Sequence, residues 1–121
     1  MDEFDRLLLE TIDEVLRSVF GDRGTQRIYD YLERRSCPQM EIPLKLEVFS
    51  QEMRNILFDE TRHARFSYGI SAQGRAAILE KSIAKILCYK MGVSFNETGP
   101  INFASFMRKL KEVYLHKRKG M

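Results

Sequence analysis

The sequence predicts an all-α protein, a compact bundle of about five helices with an irregular excursion between the third and the fourth. Three observations carry that expectation. Apolar residues recur at spacings of three and four along most of the chain, the period of one helix face. Glycine or proline stands where those runs stop, at Gly21, Pro38 and Gly92. Strand-like alternation occurs once, over Arg65–Ile70, too short to stand without a partner strand. A chain of 121 residues fits a single domain, 1–121, with 117–121 expected to fray.

The first helix is expected over Glu3–Phe20, with Phe4, Leu7, Leu8, Ile12, Val15, Leu16 and Val19 facing inward. Gly21 is suited to a left-handed C-cap that ends it. A second helix, Thr25–Ser36, takes its cap from Thr25 or Asp22 and presents Ile28, Tyr31, Leu32 and Arg35. It must stop before Pro38, because the residue preceding a proline is pushed toward extended geometry. Residues 37–43 then read as an extended connection with Met40 and Ile42 inward. Pro43 can open the third helix, where its missing N–H is not needed.

That third helix spans Leu44–Phe58 and buries Leu46, Phe49, Met53, Ile56 and Leu57. Residues 59–73 form the irregular excursion. The fourth helix, Gly74–Met91, turns Ala77, Ile78, Ile83, Ile86, Leu87 and Met91 inward and Lys81, Lys85 and Lys90 to solvent, and Gly92 closes it. Asn102 is a good N-cap for the last helix, which runs to about His116 with Phe103, Phe106, Met107, Leu110, Val113 and Tyr114 inward.

Composition narrows the class. With 44% hydrophobic and 31% charged residues the chain can bury a core and is not of the disordered type. The acidic start, Met1-Asp2-Glu3-Phe4-Asp5, lacks the basic region of a secretory signal. No apolar run approaches the roughly 18 residues of a membrane span. The expectation is a soluble cytoplasmic protein with no membrane contact. Cys37 and Cys88 are far apart in sequence, and Cys88 lies in a helical apolar pattern, so both are expected as reduced thiols. The net charge is +3, but its distribution is uneven. Residues 1–20 hold six acids and two bases, whereas residues 100–121 hold one acid and six bases.

Catalytic chemistries fail on spacing. The scattered His63, His116, Cys37 and Cys88 offer no metal-ligand pair one turn apart. Gly21-Asp22-Arg23-Gly24 lacks both the preceding strand and the Lys-Ser/Thr of a phosphate loop, and reads as a turn that needs positive φ. A nucleophile would need a histidine and an orienting acid beside it, and neither histidine sits in a well-fixed element. Neighbouring acids such as Asp13/Glu14 and Asp59/Glu60 diverge around a helix axis. No cofactor and no enzymatic activity are expected.

Two binding elements remain. The excursion mixes Arg62, His63 and Arg65 with Phe66 and Tyr68, the composition of interface hot spots, and suits a protein partner or a homodimer. The cationic end, Arg108, Lys109, Lys111, Lys117, Arg118 and Lys119, is a candidate phosphate or nucleic-acid contact. The simpler account of those charges is that they complement the dipole at a helix C-terminus.

The run Gly21-Asp22-Arg23-Gly24-Thr25-Gln26-Arg27-Ile28-Tyr29-Asp30-Tyr31-Leu32-Glu33 resembles the Gly-Glu-Ser-x-x-x-x-Ile-Tyr-x-x-Leu-Glu turn and helix of a family of small archaeal helical domains, the Nitrosopumilus-type output domain. Glu41-Ile42-Pro43 is similar to that family's Glu-Ile-Pro connection. Ala77-Ile78-Leu79-Glu80-Lys81 through Lys90-Met91-Gly92 resembles its Glu-Lys-x-Ile helix ending in Lys-Leu-Gly. Asn102-Phe103-Ala104-Ser105-Phe106 stands where the family has Thr-Phe-x-x-Tyr. The departure is the 59–73 stretch, longer than the family's tight Phe-Gly-x-Gly turn. The resemblance implies an archaeal source and a non-catalytic output module in signalling or regulation.

Overall fold

A computed structural model describes the backbone of residues 2–63, 72–99 and 101–119, and the side chains of 2–57, 74–99 and 101–117. Five helices lie among the described residues, with no strand: α1 (Glu3–Arg34), a 3₁₀ helix (Gln39–Leu44), α2 (Leu46–His63), α3 (Ala72–Met91) and α4 (Phe103–Lys119). The all-α bundle is as the sequence predicts; several boundaries are not.

Gly21 ends the first helical run as expected, with positive φ. The second run follows it directly, so the two make up α1, with a kink at Gly21. Asp2 opens it, its side chain accepting the Asp5 N–H at 2.8 Å. Gly21 then adopts φ 74°, ψ 179°, a region essentially closed to other residues. Helix resumes at once, but in a new direction. In a straight helix Asp13 and Tyr29 would stand about 24 Å apart, yet the Tyr29 hydroxyl donates to Asp13 at 2.8 Å. α1 therefore doubles back on itself. Neither expected cap serves the second half: Asp22 accepts from Arg17 at 2.9 Å, and the buried Thr25 hydroxyl has no partner among the described residues.

α1 ends in a Schellman turn. The Ser36 N–H bonds the Glu33 carbonyl and the Cys37 N–H bonds the Leu32 carbonyl, at 3.1 and 2.8 Å. Ser36 holds the left-handed position at φ 63°, where glycine is usual. Residues 39–43, expected to be extended, and Leu44, expected to start the third helix, coil into the 3₁₀ helix. The Glu41 and Lys45 N–H groups donate to the Pro38 and Ile42 carbonyls at 2.9 and 3.0 Å. Proline is tolerated in this short helix because each turn relies on few bonds. Ile42 is fully buried as expected, but Met40 is 63% exposed.

α2 buries all five residues predicted for it. It runs on to His63, and α3 begins at Ala72, so the expected excursion loses both its ends to helix. Residues 59–63 contain no glycine or proline, and polar residues at a helix end do not stop it. Residues 64–71, with Arg65, Phe66 and Tyr68, lie outside the described residues.

α3 contacts α1, α2 and α4. Ile83 and Leu87 are buried as expected, but Ala76, Leu79, Glu80 and Cys88 share the buried face with them, while Ile78 and Ile86 are 57% and 37% exposed. Gly92, at φ 69°, closes it by the same Schellman pattern, with Val93 N–H on the Cys88 carbonyl at 2.9 Å. α4 starts on Asn102, which accepts the Ser105 N–H at 3.0 Å. It continues to Lys119, past the end expected near His116. Phe49 of α2 and Phe103 of α4 meet with ring centroids 5.7 Å apart.

The acidic start and basic end come together within the one chain. Lys111 bridges Asp2 and Asp5 at 2.9 and 3.2 Å. Tyr114 donates to Glu3 and packs against Phe4, with ring centroids 5.9 Å apart.

Candidate partner-binding groove

Where α1 turns, its sequence leaves apolar side chains without a roof. Val19 continues the stripe of Ile12, Val15 and Leu16, but the turn at Gly21 carries the chain away and Val19 stays 57% exposed. Phe20 is half-buried against the next turn. Gly24 makes that approach possible, because a Cβ there would lie 2.7 Å from the Phe20 Cβ.

Two recesses flank Phe20. One, of about 380 Å³, is lined by Arg23, Gly24, Arg27, Ile28, Ile56 and Leu57 in addition to Phe20. The other, of about 370 Å³, is lined by Val19, Leu57, Arg75, Ile78, Leu79 and Ser82 on its far side. Phe20 and Leu57 line both, so the two recesses, together termed the groove, lie side by side across α1, α2 and α3. Its floor is apolar. Its rim carries Arg23 and Arg27, one helical turn apart on α1, and Arg75 near the start of α3. No acid lines it among the described residues. These three guanidiniums make no ion pair with any described carboxylate.

A polar network behind the groove fixes the turn. Arg17 donates to Asp13 at 2.8 Å and to Asp22 at 2.9 Å, and Tyr29 donates to the other Asp13 oxygen. Burial tends to raise the Asp13 carboxyl, but the hydrogen bonds from Arg17 and Tyr29 outweigh it and hold it below its usual value. Burial and the same carboxylate push the Tyr29 phenol up. The network joins residues on both sides of Gly21, so the angle of α1 is held by side chains as well as by backbone.

The cationic residues singled out in the sequence are largely occupied within the chain. Arg108 pairs with Glu47, Lys111 with Asp2 and Asp5, and Lys117 donates to the Met91 carbonyl at 3.2 Å. Lys109 is exposed. The side chains of Arg118 and Lys119, and those of Arg62 and His63, lie outside the described set. The described part of the cationic end is thus drawn into contacts within the chain, and the arginine-aromatic cluster of 62–68 lies outside the described side chains. The groove residues were missed because periodicity assigned Val19 and Ile78 to the core. The signal available was the Gly21-x-x-Gly24 pair beside Phe20, with arginines four apart after it.

Both cysteines are free and buried, and burial raises both thiols above their ordinary value. Among the described residues no group of three or more His, Cys, Asp or Glu side chains is placed to hold a metal ion. No described helix is long and apolar enough to cross a membrane. Comparison with protein-family models, curated proteins and solved structures finds no significant match to this chain.

Proposed function

We propose that this chain is a non-catalytic protein-interaction module, acting as an output or adaptor element in regulation, and that it engages its partner at the α1 groove. One observation carries the reading: an apolar trough bordered by three arginines that no described carboxylate neutralises. Arginine beside exposed apolar and aromatic side chains is the usual composition of binding hot spots. The resemblance to Nitrosopumilus-type output domains, and the archaeal source it implies, belong to the same proposal. A reducing cytoplasmic setting fits two free, buried cysteines. Nucleic-acid binding through α4 has less support, since Arg108, Lys111 and Lys117 are already engaged.

The test is selection of a displayed library of helical peptides on the full chain, repeated on Val19→Asp and Ile78→Asp. Both positions are more than half exposed, so the variants should keep the wild-type circular dichroism. Enriched peptides should lose binding to both. Peptides that bind all three proteins equally, or no enrichment at all, would remove the groove from consideration.

A further inference from the structure

Resting on that reading of the groove, we propose that its occupant is an acidic amphipathic helix of a protein partner. The length of the surface points to a helix. The groove runs on along α3 as an outward stripe of Ile78, Ser82, Ile86 and Tyr89, successive positions of one helix face. Ile78, Ile86 and Tyr89 are 57%, 37% and 86% exposed. From Ile78 to Tyr89 the stripe extends about 16 Å, the span of about three helical turns. That is the footprint of a helix docking through anchors at i, i+3 or i+4, and i+7.

Charge selects the helix. Arg23, Arg27 and Arg75 stand along the groove, and Lys81 and Lys85 lie together along one side of the stripe; none is paired with a carboxylate among the described residues. An acidic partner would meet the arginines at the groove and the lysines along the stripe, which speeds encounter and favours one register. The same charges argue against a second copy of this chain. A two-fold dimer places one patch against itself, and here it would stack arginine on arginine with no acid between them among the described residues. A nucleic acid would gain from the arginines but would bury its phosphates over Val19, Phe20 and Ile78, which offer them nothing.

The sequences recovered by selection on the wild-type chain decide the matter. They should place apolar residues at helical spacing with Asp and Glu between. The best peptide, synthesised with a fluorescent label, should bind at least about tenfold more tightly than its Glu→Lys counterpart, and more weakly as salt rises. The triple variant Arg23→Glu, Arg27→Glu, Arg75→Glu should reverse that order, while Ile78→Asp should abolish binding of both. Selected peptides that lack acids but still lose binding on Ile78→Asp would overturn the acidic partner and leave the groove standing. Peptides indifferent to Ile78→Asp would overturn both. Dimerisation in sedimentation equilibrium that Ile78→Asp breaks would assign the face to a second copy. A DNA duplex bound at low salt and released by the triple arginine variant would assign it to phosphate; either result overturns the proposal.

Discussion

Gly24 has so little room beside Phe20 that one methyl group is felt there. Gly24→Ala puts a carbon into the 2.7 Å gap, and such overpacking costs about 1–3 kcal/mol. The added carbon must push Phe20 toward the groove, so peptide binding should fall together with the urea midpoint. At Ser36 the opposite change helps. Its φ of 63° is one that glycine takes freely and an L side chain takes at a cost of about 1 kcal/mol. Ser36→Gly should raise stability by up to that amount, less the extra entropy of a glycine in the unfolded chain. The sequence announces the first of these positions only as a glycine, and the second not at all. Serine carries no mark of a left-handed cap, and Pro38 alone shows that a helix must end nearby.

At the scale of elements, the network around Asp13 holds the two halves of α1 together. Tyr29→Phe removes one neutral-to-charged hydrogen bond and leaves Arg17 on the same carboxylate. A loss of about 1–2 kcal/mol is expected by thermal or urea unfolding, with the turn itself retained because Gly21 still dictates it. α2 and α3 are joined by a more buried pair. Glu80, 2% exposed, accepts from Ser50 at 2.8 Å and from Arg54 at 2.5 Å, while its second oxygen has no partner among the described residues. Arg54→Ala strands a buried carboxylate and should cost about 3 kcal/mol, and Arg54→Met with Glu80→Leu should recover most of it. A double variant as unstable as the single one would show that the pair supplies net stability. α2 was read correctly because its apolar period runs unbroken. α3 was misread because Ile78 and Ile86 compete with Leu79, Ile83 and Leu87 for the same period, and a glutamate in mid-helix looks like surface. The groove was illegible for a related reason: periodicity reports which residues share a face, never what covers that face.

For the whole molecule, the lowered carboxyls predict the acid limb of stability. Asp2 is held below its ordinary 3.8 by the Asp5 N–H and by Lys111, and Asp13 by Arg17 and Tyr29 against the pull of burial. A carboxyl lowered in the folded state contributes stability that is present above its unfolded value and is lost as pH falls through the folded one. Urea midpoints should therefore hold steady down to about pH 5 and decline progressively below it, with Asp13→Asn flattening part of the decline. Tyr29 sets an alkaline limb by the same linkage. Its phenol is raised above 10.0, so its contribution is present below that pH and lost as pH climbs beyond it. Absorbance of tyrosinate should show one of the five tyrosines ionising only as the protein unfolds. The bundle itself was legible from sequence because helix periods and breakers are local. The opposite charges of the first and last helices point to their pairing, within the chain or between subunits. The particular ties, through Lys111 to Asp2 and Asp5 and through Tyr114 to Glu3, join distant residues that no local pattern reports.

The two sealed thiols give the molecule a built-in clock. Cys88 sits in mid-core on α3, and Cys37 plugs the end of α1, at 1% and 0% exposure. Burial also keeps each protonated, and only the thiolate attacks an alkylating reagent. Labelling must wait for the chain to open, so each rate times a different event. Cys37 can be freed by release of the α1 end and the 3₁₀ helix alone, whereas Cys88 needs α3 to leave its neighbours. Cys37 should label faster, as the ends of a fold open more cheaply than its centre. Equal rates would mean that the bundle opens all at once.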